Sequence, residues 1–453
     1  MNNEERVSML RNAPIPQVLL KMGLPTMIGM LVTGIYNLVD AYFVGGLGTS
    51  QMGAVSITFP LGQALVGLAV LFGGGAASYL SRLLGANDRE RANHVASTAL
   101  YSSLILATIV IMGIVVFIQP ILYALGATDT IYPYALEYGM IYVIGSIFNI
   151  FNVTMNNIAS SEGAAKVSMT AMILGAGLNV IFDPIFIYRF HTGIAGAAIA
   201  TVLAQAITTI MYLFYIFKKR SVFSFSPRAF RIDGSIYKEV FKVGIPTLAF
   251  QLSTSIAIGF TNAAAKQYSD AAIAAMGIVT RIISMGIYAV SGFAKGFMPI
   301  AGYNYGAKQY KRVQDATKTG LLWTSIFCIA MTILMFIFAT PVISLFTSGD
   351  TAVVNIGTFA LRANIIMFAG MGIEAIYSML SLALGKATGG WLLSIGRQGI
   401  FFIPFIILLP HFVGLNGVIF AQPIADVLTL IGIIILATKI NRQIKDLALL
   451  KTE

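Results

Sequence analysis

The stretch KKRSVFSFSPRAFRIDGSIYKEV, residues 218–240, is the longest polar connection in a chain that otherwise consists mostly of apolar runs. It divides the 453 residues almost evenly. Of the whole chain, 57% of residues are hydrophobic and only 10% are charged, and the mean hydropathy is +0.83. These values are far from the averages of soluble domains and indicate an integral membrane protein.

Twelve apolar runs can be read from the sequence, six before the polar connection and six after it. At about 1.5 Å rise per residue, each run can cross a hydrocarbon core of roughly 30 Å as a helix, and the runs are too long for barrel strands. The predicted spans are 18–45, 53–80, 95–118, 132–158, 168–189, 194–217, 243–267, 272–300, 316–339, 353–379, 390–411 and 414–438.

The two halves contain an internal repeat. Three pairs of motifs recur at a spacing of 221 residues: GLPT at 23–26 and GIPT at 244–247, Gly85-Ala86 and Gly306-Ala307, and GIAG at 193–196 and GLNG at 414–417. An even number of spans in each half gives both halves the same membrane orientation, with a substrate path between them. We therefore predict a six-helix lobe over 1–220, a cytoplasmic interlobe linker over 221–240 and a second six-helix lobe over 241–453.

Lys and Arg are concentrated in one set of connections, whereas the opposite set holds only Arg189 and Lys266. Because positively charged loops stay in the cytoplasm during insertion, this asymmetry predicts a multi-pass protein of the plasma (inner) membrane with both termini cytoplasmic. The net charge of +11 is then explained by topology, and nucleic-acid binding is not needed to explain it.

Two carboxylates, Asp40 and Asp183, stand within apolar runs of the first half. An ionisable group at membrane depth costs at least about 2.5 to 3.5 kcal/mol, so it usually faces a wet cavity or a partner. Counted inward from the outer ends of spans one, five and six, Asp40, Asp183 and Thr201 all fall roughly 9 to 12 Å below the outer boundary at about 1.5 Å per residue. We expect them to share one depth.

Helical spacing gives each of these spans a polar edge. The pairs are Asn37 with Asp40, Asn179 with Asp183, and Thr201 with Gln205. Pro184 adds an acceptor, because its missing N–H leaves the carbonyl of Val180 without an intrahelical bond. Such oxygen atoms suit a hard cation, so we predict a coupling-cation site formed by Asp40, Asn179, Asp183 and Thr201, which are metal ligands only if the ion is Na+.

Other polar residues of the first half have two open interpretations. Asn37, Gln205 and the stripe Asn149, Asn152 and Asn156 on span four either bond helix to helix or line a cavity. A static pair is disfavoured for Asp40 and Asp183, because their spans carry no basic residue near that depth. Mutual repulsion of two carboxylates instead suits a protonation switch.

Four stretches carry a family resemblance: NLVDAYFVGGLG at 37–48, NVIFDPIFIY at 179–188, GFMPIAGYNYGAK at 296–308 and RQGIFFIP at 397–404. They resemble the multidrug and toxic compound extrusion (MATE) transporters, over essentially the whole chain. The resemblance implies an all-α membrane fold of twelve transmembrane helices in two six-helix repeats, a first-lobe cation site, and export of organic cations in exchange for protons or sodium. The chain departs from related sequences at Gln251, where one branch carries glutamate, and at Lys295, where glutamine is common.

The second half contains charges of both signs within its spans. Glu374 and Arg397 lie toward the same side of the membrane, which favours a structural ion pair. Asp426 is the repeat equivalent of Gln205, and it either lines the substrate path or neutralises Arg281. We count Gln251, Arg281, Glu374 and Asp426 among the candidates for the path.

The sequence thus predicts a secondary active multidrug efflux antiporter, which exports amphipathic, often cationic organic compounds in exchange for H+ or Na+ and would confer antibiotic resistance. The alternative is a flippase for a lipid-linked head group of the same superfamily, which would need a more basic central cavity; Arg281, Lys295 and Arg397 keep that alternative open. An enzyme is disfavoured, because no metal-ligand cluster or nucleophile with a base in reach is evident. We expect no cofactor, no nucleic-acid partner, and a monomer that acts on small organic molecules in the lipid bilayer.

Overall fold

The computed structural model describes residues 3–347, 350–386 and 395–450. Within these ranges the chain is helical and contains no β-strand. Twelve of the described helices are long and apolar enough to cross a membrane, which confirms the predicted all-α membrane fold. The start of the predicted eleventh span, 390–394, and the side chain of Lys266 lie outside the described part.

We number the α-helices of the described ranges in chain order. They are α1 (Asn3–Asn12), α2 (Ile15–Gly45), α3 (Thr49–Gly85), α4 (Arg89–Val116), α5 (Ile118–Ala124), α6 (Tyr132–Ser161), α7 (Ala165–Pro184), α8 (Gly193–Phe217), α9 (Gly234–Lys266), α10 (Asp270–Gly306), α11 (Tyr310–Ile337), α12 (Ala339–Ser344), α13 (Thr351–Phe368), α14 (Met371–Ala383), α15 (Phe402–Val413) and α16 (Leu415–Leu449). Two π-helical turns, Ile185–Arg189 and Gly396–Ile400, follow α7 and precede α15.

Several helices extend beyond the apolar runs, because polar caps allow them to continue past the hydrocarbon region. Helix α9 begins at Gly234, and the carboxylate of Asp233 caps it by accepting the backbone N–H of Ser235 at 2.8 Å. Helix α9 thus begins within the stretch 221–240 that is predicted as the interlobe linker. The short helices α1, α5 and α12 were not predicted, because none is long enough to form an apolar run of membrane length.

The predicted tenth span, 353–379, is wrong as a single helix. It is divided into α13 and α14 at Ala369 and Gly370. Their N–H groups bond the carbonyls of Ile366 and Met367, three residues back, at 3.4 and 3.0 Å, and this tighter turn interrupts the α-helical pattern. The break places Glu374 in the first turn of α14.

The two halves, α2–α8 and α9–α16, share a hydrophobic core at one end only. We call this the basic end; among the described residues it carries helix α1 and most Lys and Arg residues. There, one continuous core includes Leu80 of α3 and Phe297 of α10. At the opposite end each half has its own core, around Leu122 in the first half and Ile343 in the second. The halves therefore converge at the basic end and separate toward the opposite end.

Helices α3 and α10 form the centre of the contact between the halves. Helix α3 packs against α9, α10 packs against α2, and α3 and α10 pack against each other. At the basic end, Arg82 Nη2 donates to Glu239 Oε2 at 2.9 Å, and the hydroxyl of Ser78 donates to the carbonyl of Leu382. These contacts between α3 and the second half keep the basic end closed.

Helix α1 lies across the basic end and contacts both halves. The buried guanidinium of Arg6 pairs with Glu162 of the first half at 3.7 Å and donates to the hydroxyl of Tyr215 at 2.5 Å. From the second half, Arg312 Nη2 donates to the carbonyl of Ala13, directly after α1, at 2.8 Å. A short helix that sequence analysis missed thus joins the two halves.

Candidate functional site

The four residues predicted to hold the coupling cation converge near the end opposite the basic end. They lie where α2, α7 and α8 pack together. The amide of Asn179 satisfies both neighbours when its nitrogen faces Asp183 Oδ2 at 2.9 Å and its oxygen accepts from Thr201 Oγ1 at 3.0 Å. The carboxyl groups of Asp183 and Asp40 are within hydrogen-bonding reach of each other. The predicted common depth of these residues therefore corresponds to a real cluster.

The end of α7 determines where Asp183 sits. Pro184 closes the α-helix, and the chain continues as the π-helical turn Ile185–Arg189, in which Phe190 N–H bonds the carbonyl of Ile185 at 2.9 Å. Asp183 is fully buried, and Asn179 is 2% exposed. In the described part of the chain neither Asp183 nor Asp40 has an ion-pair partner. Asp40 is half-buried beside Asp183. A carboxyl pair at this depth without a fixed counter-charge can bind a mobile cation.

Three tyrosines lie near Asp40, and none of them was among the predicted site residues. Tyr36 lies beside Asp40 and Thr201. Tyr138 and Tyr142 on α6 stack with ring centroids 5.7 Å apart, and both are near enough to Asp40 to interact with it electrostatically. Helical spacing could have indicated them, because Tyr36 is one turn before Asp40 and the α6 tyrosines are one turn apart. Their hydroxyls add hydrogen-bond donors to a cluster rich in acceptors.

Asn152, the middle residue of the asparagine stripe on α6, forms hydrogen bonds to a neighbouring helix. Asn152 Nδ2 donates to Gln205 Oε1 at 2.9 Å, and the hydroxyl of Thr209 donates to Asn152 Oδ1 at 3.0 Å. These bonds connect α6 to α8. By contrast, Asn149 is half-buried and Asn37 is exposed, and within the described residues neither side chain makes a hydrogen bond. Asn37 does not join the carboxyl cluster one turn along α2.

Two polar bridges cross between the halves inside the bundle. Lys295 Nζ of α10 donates to Asn156 Oδ1 of α6 at 2.8 Å, and Gln251 Nε2 of α9 donates to Gln63 Oε1 of α3 at 2.8 Å. Gln251 and Asn156, both candidates for the substrate path, therefore lie at the interface between the halves. These bonds must change if the halves move relative to each other.

Three second-half charges form a triad around the buried Arg397. The expected ion pair of Glu374 with Arg397 is present, with 3.9 Å between Oε2 and Nε. A closer partner is Asp426, whose Oδ1 accepts from Arg397 Nε at 2.8 Å and from Gln422 Nε2 at 2.7 Å. The suggestion that Asp426 neutralises Arg281 is wrong. Asp426 forms its ion pair with Arg397 in the π-helical turn, and the side chain of Arg281 is exposed.

The described chain has twelve apolar helices in two halves that meet at one end. Carboxylates lie inside the bundle, and polar bridges connect the halves. These features define a multi-pass membrane transporter. The MatE family model matches residues 25–185 and 246–408, and the chain belongs to this family of multidrug efflux transporters. The resemblance seen in the sequence is thereby confirmed. Members of this family are transporters and not enzymes.

Individual relatives cover nearly the whole chain. The chain is 31% identical over 428 residues to the multidrug export protein MepA of Staphylococcus aureus (strain MRSA252), with 93% of each chain covered. It is similar to the outward-facing conformation of a multidrug resistance MATE family transporter of the MOP superfamily, with a TM-score of 0.91, 29% identity, and 97% and 98% of the two chains covered.

A third similar protein is a MOP superfamily transporter from Pyrococcus furiosus, for which a reverse polarity of the binding pocket suggests a different function. Its TM-score is 0.89 at 29% identity, and 97% of this chain and 98% of that chain are covered. Similarity in fold therefore extends to proteins whose pockets differ in charge, so the fold alone does not determine the charge of the pocket.

Proposed function

We propose that this protein is a secondary active antiporter that exports amphipathic, often cationic organic compounds in exchange for H+ or Na+. The observation that supports the proposal most directly is the Asp40–Asp183 carboxyl pair. Its two acidic groups lie within hydrogen-bonding reach, and Asn179 and Thr201 are hydrogen-bonded beside them. No basic residue of the described chain pairs with either carboxyl group.

The carboxyl pair has the chemistry needed to bind one small cation at a time. Two carboxylates this close cannot both stay ionised and unpaired without strong repulsion, so one proton shared between them relieves it. Na+ would relieve the same repulsion and would use the oxygens of Asp40, Asp183, Asn179 and Thr201 as hard ligands. Either ion removes net negative charge from the cluster.

Antiport follows if the ion and the organic cation compete for that negative charge. The empty pair attracts a cationic compound, and the faces of Tyr36, Tyr138 and Tyr142 offer it cation–π contacts. Binding of the coupling ion neutralises the pair and lowers the affinity for the compound. By linkage the effect is reciprocal: the factor by which the ion weakens compound binding equals the factor by which the compound weakens ion binding.

The route of export follows from the shape of the bundle, while the gradient of the coupling ion sets its direction. The halves separate toward the end at which the carboxyl pair lies, and the charge asymmetry predicts that this end faces the exterior. Opening to the cytoplasm would require the halves to rock apart at the basic end, with rupture of the contact between Arg82 and Glu239. Alternating access of this kind exposes the pair to one side at a time.

The test is transport in liposomes that contain the purified protein. A fluorescent organic cation is loaded, and its movement is followed after a proton gradient or a sodium gradient is imposed. We expect one gradient to drive transport in the wild type. Asp183→Asn should reduce gradient-driven transport to the level of protein-free liposomes, because an amide keeps the volume of the side chain and removes its charge.

The matched control is Asp129→Asn, which removes an exposed carboxylate from the loop between α5 and α6 at the same end of the bundle. It should transport like the wild type. If Asp183→Asn moved the cation against a gradient at the normal rate and stoichiometry, the carboxyl pair would be a packing feature and the proposal would fail.

The flippase is the competing outcome of the same assay, with a labelled lipid-linked head group added to the liposomes. An anionic head group needs free positive charge along the path between the halves. Among the described residues, Arg397 is neutralised by two acids. Lys295 donates only to the uncharged amide of Asn156, so Lys295 and the exposed Arg281 remain as candidates. Lipid movement without cation transport would favour the flippase over the exporter.

A further inference from the structure

A groove with positively charged walls lies at the basic end of the first half, far from the carboxyl pair. Two adjoining cavities form it, of about 1090 and 390 Å³, and both are lined by Lys166, Val167, Tyr215 and Arg220. The start of α7, the end of α8 and helix α1 provide its walls. From the sequence, these lysines and arginines were expected to determine topology alone.

The groove carries positive charge that no acid neutralises. Its exposed basic residues are Lys21, Lys166, Lys218, Lys219 and Arg220, and in the described part of the chain none of them forms an ion pair. Arg6 also reaches the larger cavity, but Glu162 already pairs with it. Among the described residues that line the two cavities, Glu4 is the one acid. An anion placed here would meet several unpaired cations at once.

One side of the groove is apolar. The smaller cavity continues between α7 and α8, where it is lined by Val167, Met211 and Phe214. Phe214 is 59% exposed, and Lys218 Nζ lies 5.7 Å from its ring centroid. Both helices are membrane spans by length and composition. The cations therefore stand at the polar end of a hydrophobic surface groove, which is the arrangement that an amphipathic anion requires.

We propose that this groove binds an anionic phospholipid. Lys166, Lys218 and Arg220 would hold the phosphate, and an acyl chain would lie along Met211 and Phe214. Free inorganic phosphate could use the same cations, but it would leave the apolar side of the groove uncovered, so the lipid is the better fit. Helices α7 and α8 pack mainly within the first half, so this site is separate from the path between the halves and independent of the proposed antiport.

Helix α1 forms one wall of the site through Asn3, Arg6 and Met9. A bound head group therefore contacts the helix that joins the two halves at the basic end. Lipid binding should consequently protect α1 from solvent, in addition to occupying the groove. This effect distinguishes a lipid in the groove from lipids attracted by the overall charge of the surface.

Binding is tested by native mass spectrometry of the full chain in detergent, with phosphatidylglycerol and phosphatidylcholine added separately at equal concentration. The wild type should retain phosphatidylglycerol in preference to phosphatidylcholine. A variant with Lys166→Gln and Lys218→Gln should bind phosphatidylglycerol roughly 25-fold more weakly, because each cation near a lipid head group contributes about a fivefold factor. Equal retention of the two lipids by the wild type would overturn the proposal.

The control variant carries Lys311→Gln and Lys318→Gln on α11, two exposed lysines at the basic end of the second half. It has the same net charge as the groove variant and should bind phosphatidylglycerol like the wild type. Equal loss in both variants would mean diffuse attraction and would refute a site. Millimolar inorganic phosphate is the other arm: if it displaces the lipid completely, the groove recognises a free anion and not a phospholipid.

Hydrogen exchange gives a second readout that does not depend on affinity. Phosphatidylglycerol should slow amide exchange over residues 3–12 in the wild type and in the α11 variant, and it should leave exchange unchanged in the groove variant. Lipid that binds the wild type without protecting these residues would lie elsewhere on the protein, and the proposal would be wrong.

Discussion

Gly85 of α3 and Gly306 of α10, equivalent glycines of the two halves, lie back to back at the basic end. A Cβ on Gly85 would collide with the carbonyl oxygen of Tyr303, and a Cβ on Gly306 would collide with the carbonyl oxygen of Arg82. Tyr303 and Arg82 are themselves 221 positions apart, so the contact obeys the internal repeat. Only glycine permits backbones to approach this closely.

Gly85→Ala should force α3 and α10 apart at the basic end. Within a helix this change alone would stabilise by roughly 0.5–1 kcal/mol, so any loss must come from the collision. Cysteines introduced at Ala86 and Ala307 should cross-link less efficiently in the variant than in the parent. The matched control is Gly113→Ala in α4, where an added Cβ meets nothing within 4 Å, and its cross-linking should be unchanged. Equal yields in both variants would show that the contact is not tight.

Arg397→Gln should destabilise the second half strongly. It would leave Glu374 and Asp426, whose side chains are 14% and 11% exposed, without a counter-charge, and breaking a largely buried ion pair typically costs about 3–5 kcal/mol. Thermal unfolding in detergent measures the effect. Glu374→Gln should cost less than Asp426→Asn, because the contact to Arg397 is 3.9 Å for Glu374 and 2.8 Å for Asp426. If Glu374→Gln and Asp426→Asn lowered the stability equally, the shorter contact to Arg397 would not be the stronger one.

A control for the triad is Arg362→Gln near the opposite end. Arg362 is exposed and donates to the carbonyl of Phe336 at 3.2 Å without an acidic partner among the described residues. Its removal should change stability by no more than about 0.5 kcal/mol, as is usual for surface positions. If Arg362→Gln lowered the stability as much as Arg397→Gln, the effect of Arg397→Gln could not be assigned to the triad.

The spans were predictable because each must satisfy its backbone hydrogen bonds within lipid, which forces long apolar helices. The common depth of Asp40 and Asp183 followed from the rise per residue alone. The break at Gly370 was not visible, because glycine also occurs inside uninterrupted membrane helices. When a helix has apolar residues on every side, the sequence does not show which side faces the other helices. For that reason the contact of Arg397 with Asp426 could not be predicted.

The position of the tyrosines near Asp40 could not be predicted from the sequence either. Tyr138 and Tyr142 stand in a span that is rich in aromatic and aliphatic residues, and a tyrosine can face lipid, core or cavity at similar cost. Helix α1 was missed for another reason. It is polar on average, and its position depends on the buried pair of Arg6 with Glu162, which are 156 residues apart in the sequence.

Asp233 should make the start of α9 sensitive to pH. The hydrogen bond from the backbone N–H of Ser235 holds the pKa of this carboxyl below its usual value. A lowered pKa in the folded state means that the cap stabilises above the usual aspartate pKa of about 3.9 and loses its effect as pH falls through the lowered value. Asp233→Ala should therefore speed amide exchange in the first turn of α9 at neutral pH, and the difference should vanish in strong acid.

The control for this cap is Asp233→Asn, which retains a side-chain oxygen that can accept the N–H of Ser235 but has no charge to titrate. Its exchange in the first turn of α9 should stay close to that of the wild type at neutral pH and should change less between neutral pH and strong acid. An Asp233→Ala effect of constant size at every pH would mean that the ionised carboxylate contributes nothing to the cap.

Asp40 and Asp183 should act as one unit in ion binding. If they hold a single ion together, Asp40→Asn or Asp183→Asn alone removes the site, and the double variant loses little more. The difference from additivity should be about 0.5–3 kcal/mol in a double-mutant cycle. The measured quantity is the affinity for an organic cation with and without the coupling ion. Asp183→Asn combined with Asp129→Asn is the control pair, whose effects should add, because Asp129 is exposed in a loop. Additive effects of Asp40→Asn and Asp183→Asn would mean that each carboxylate acts alone and that no shared ion links them.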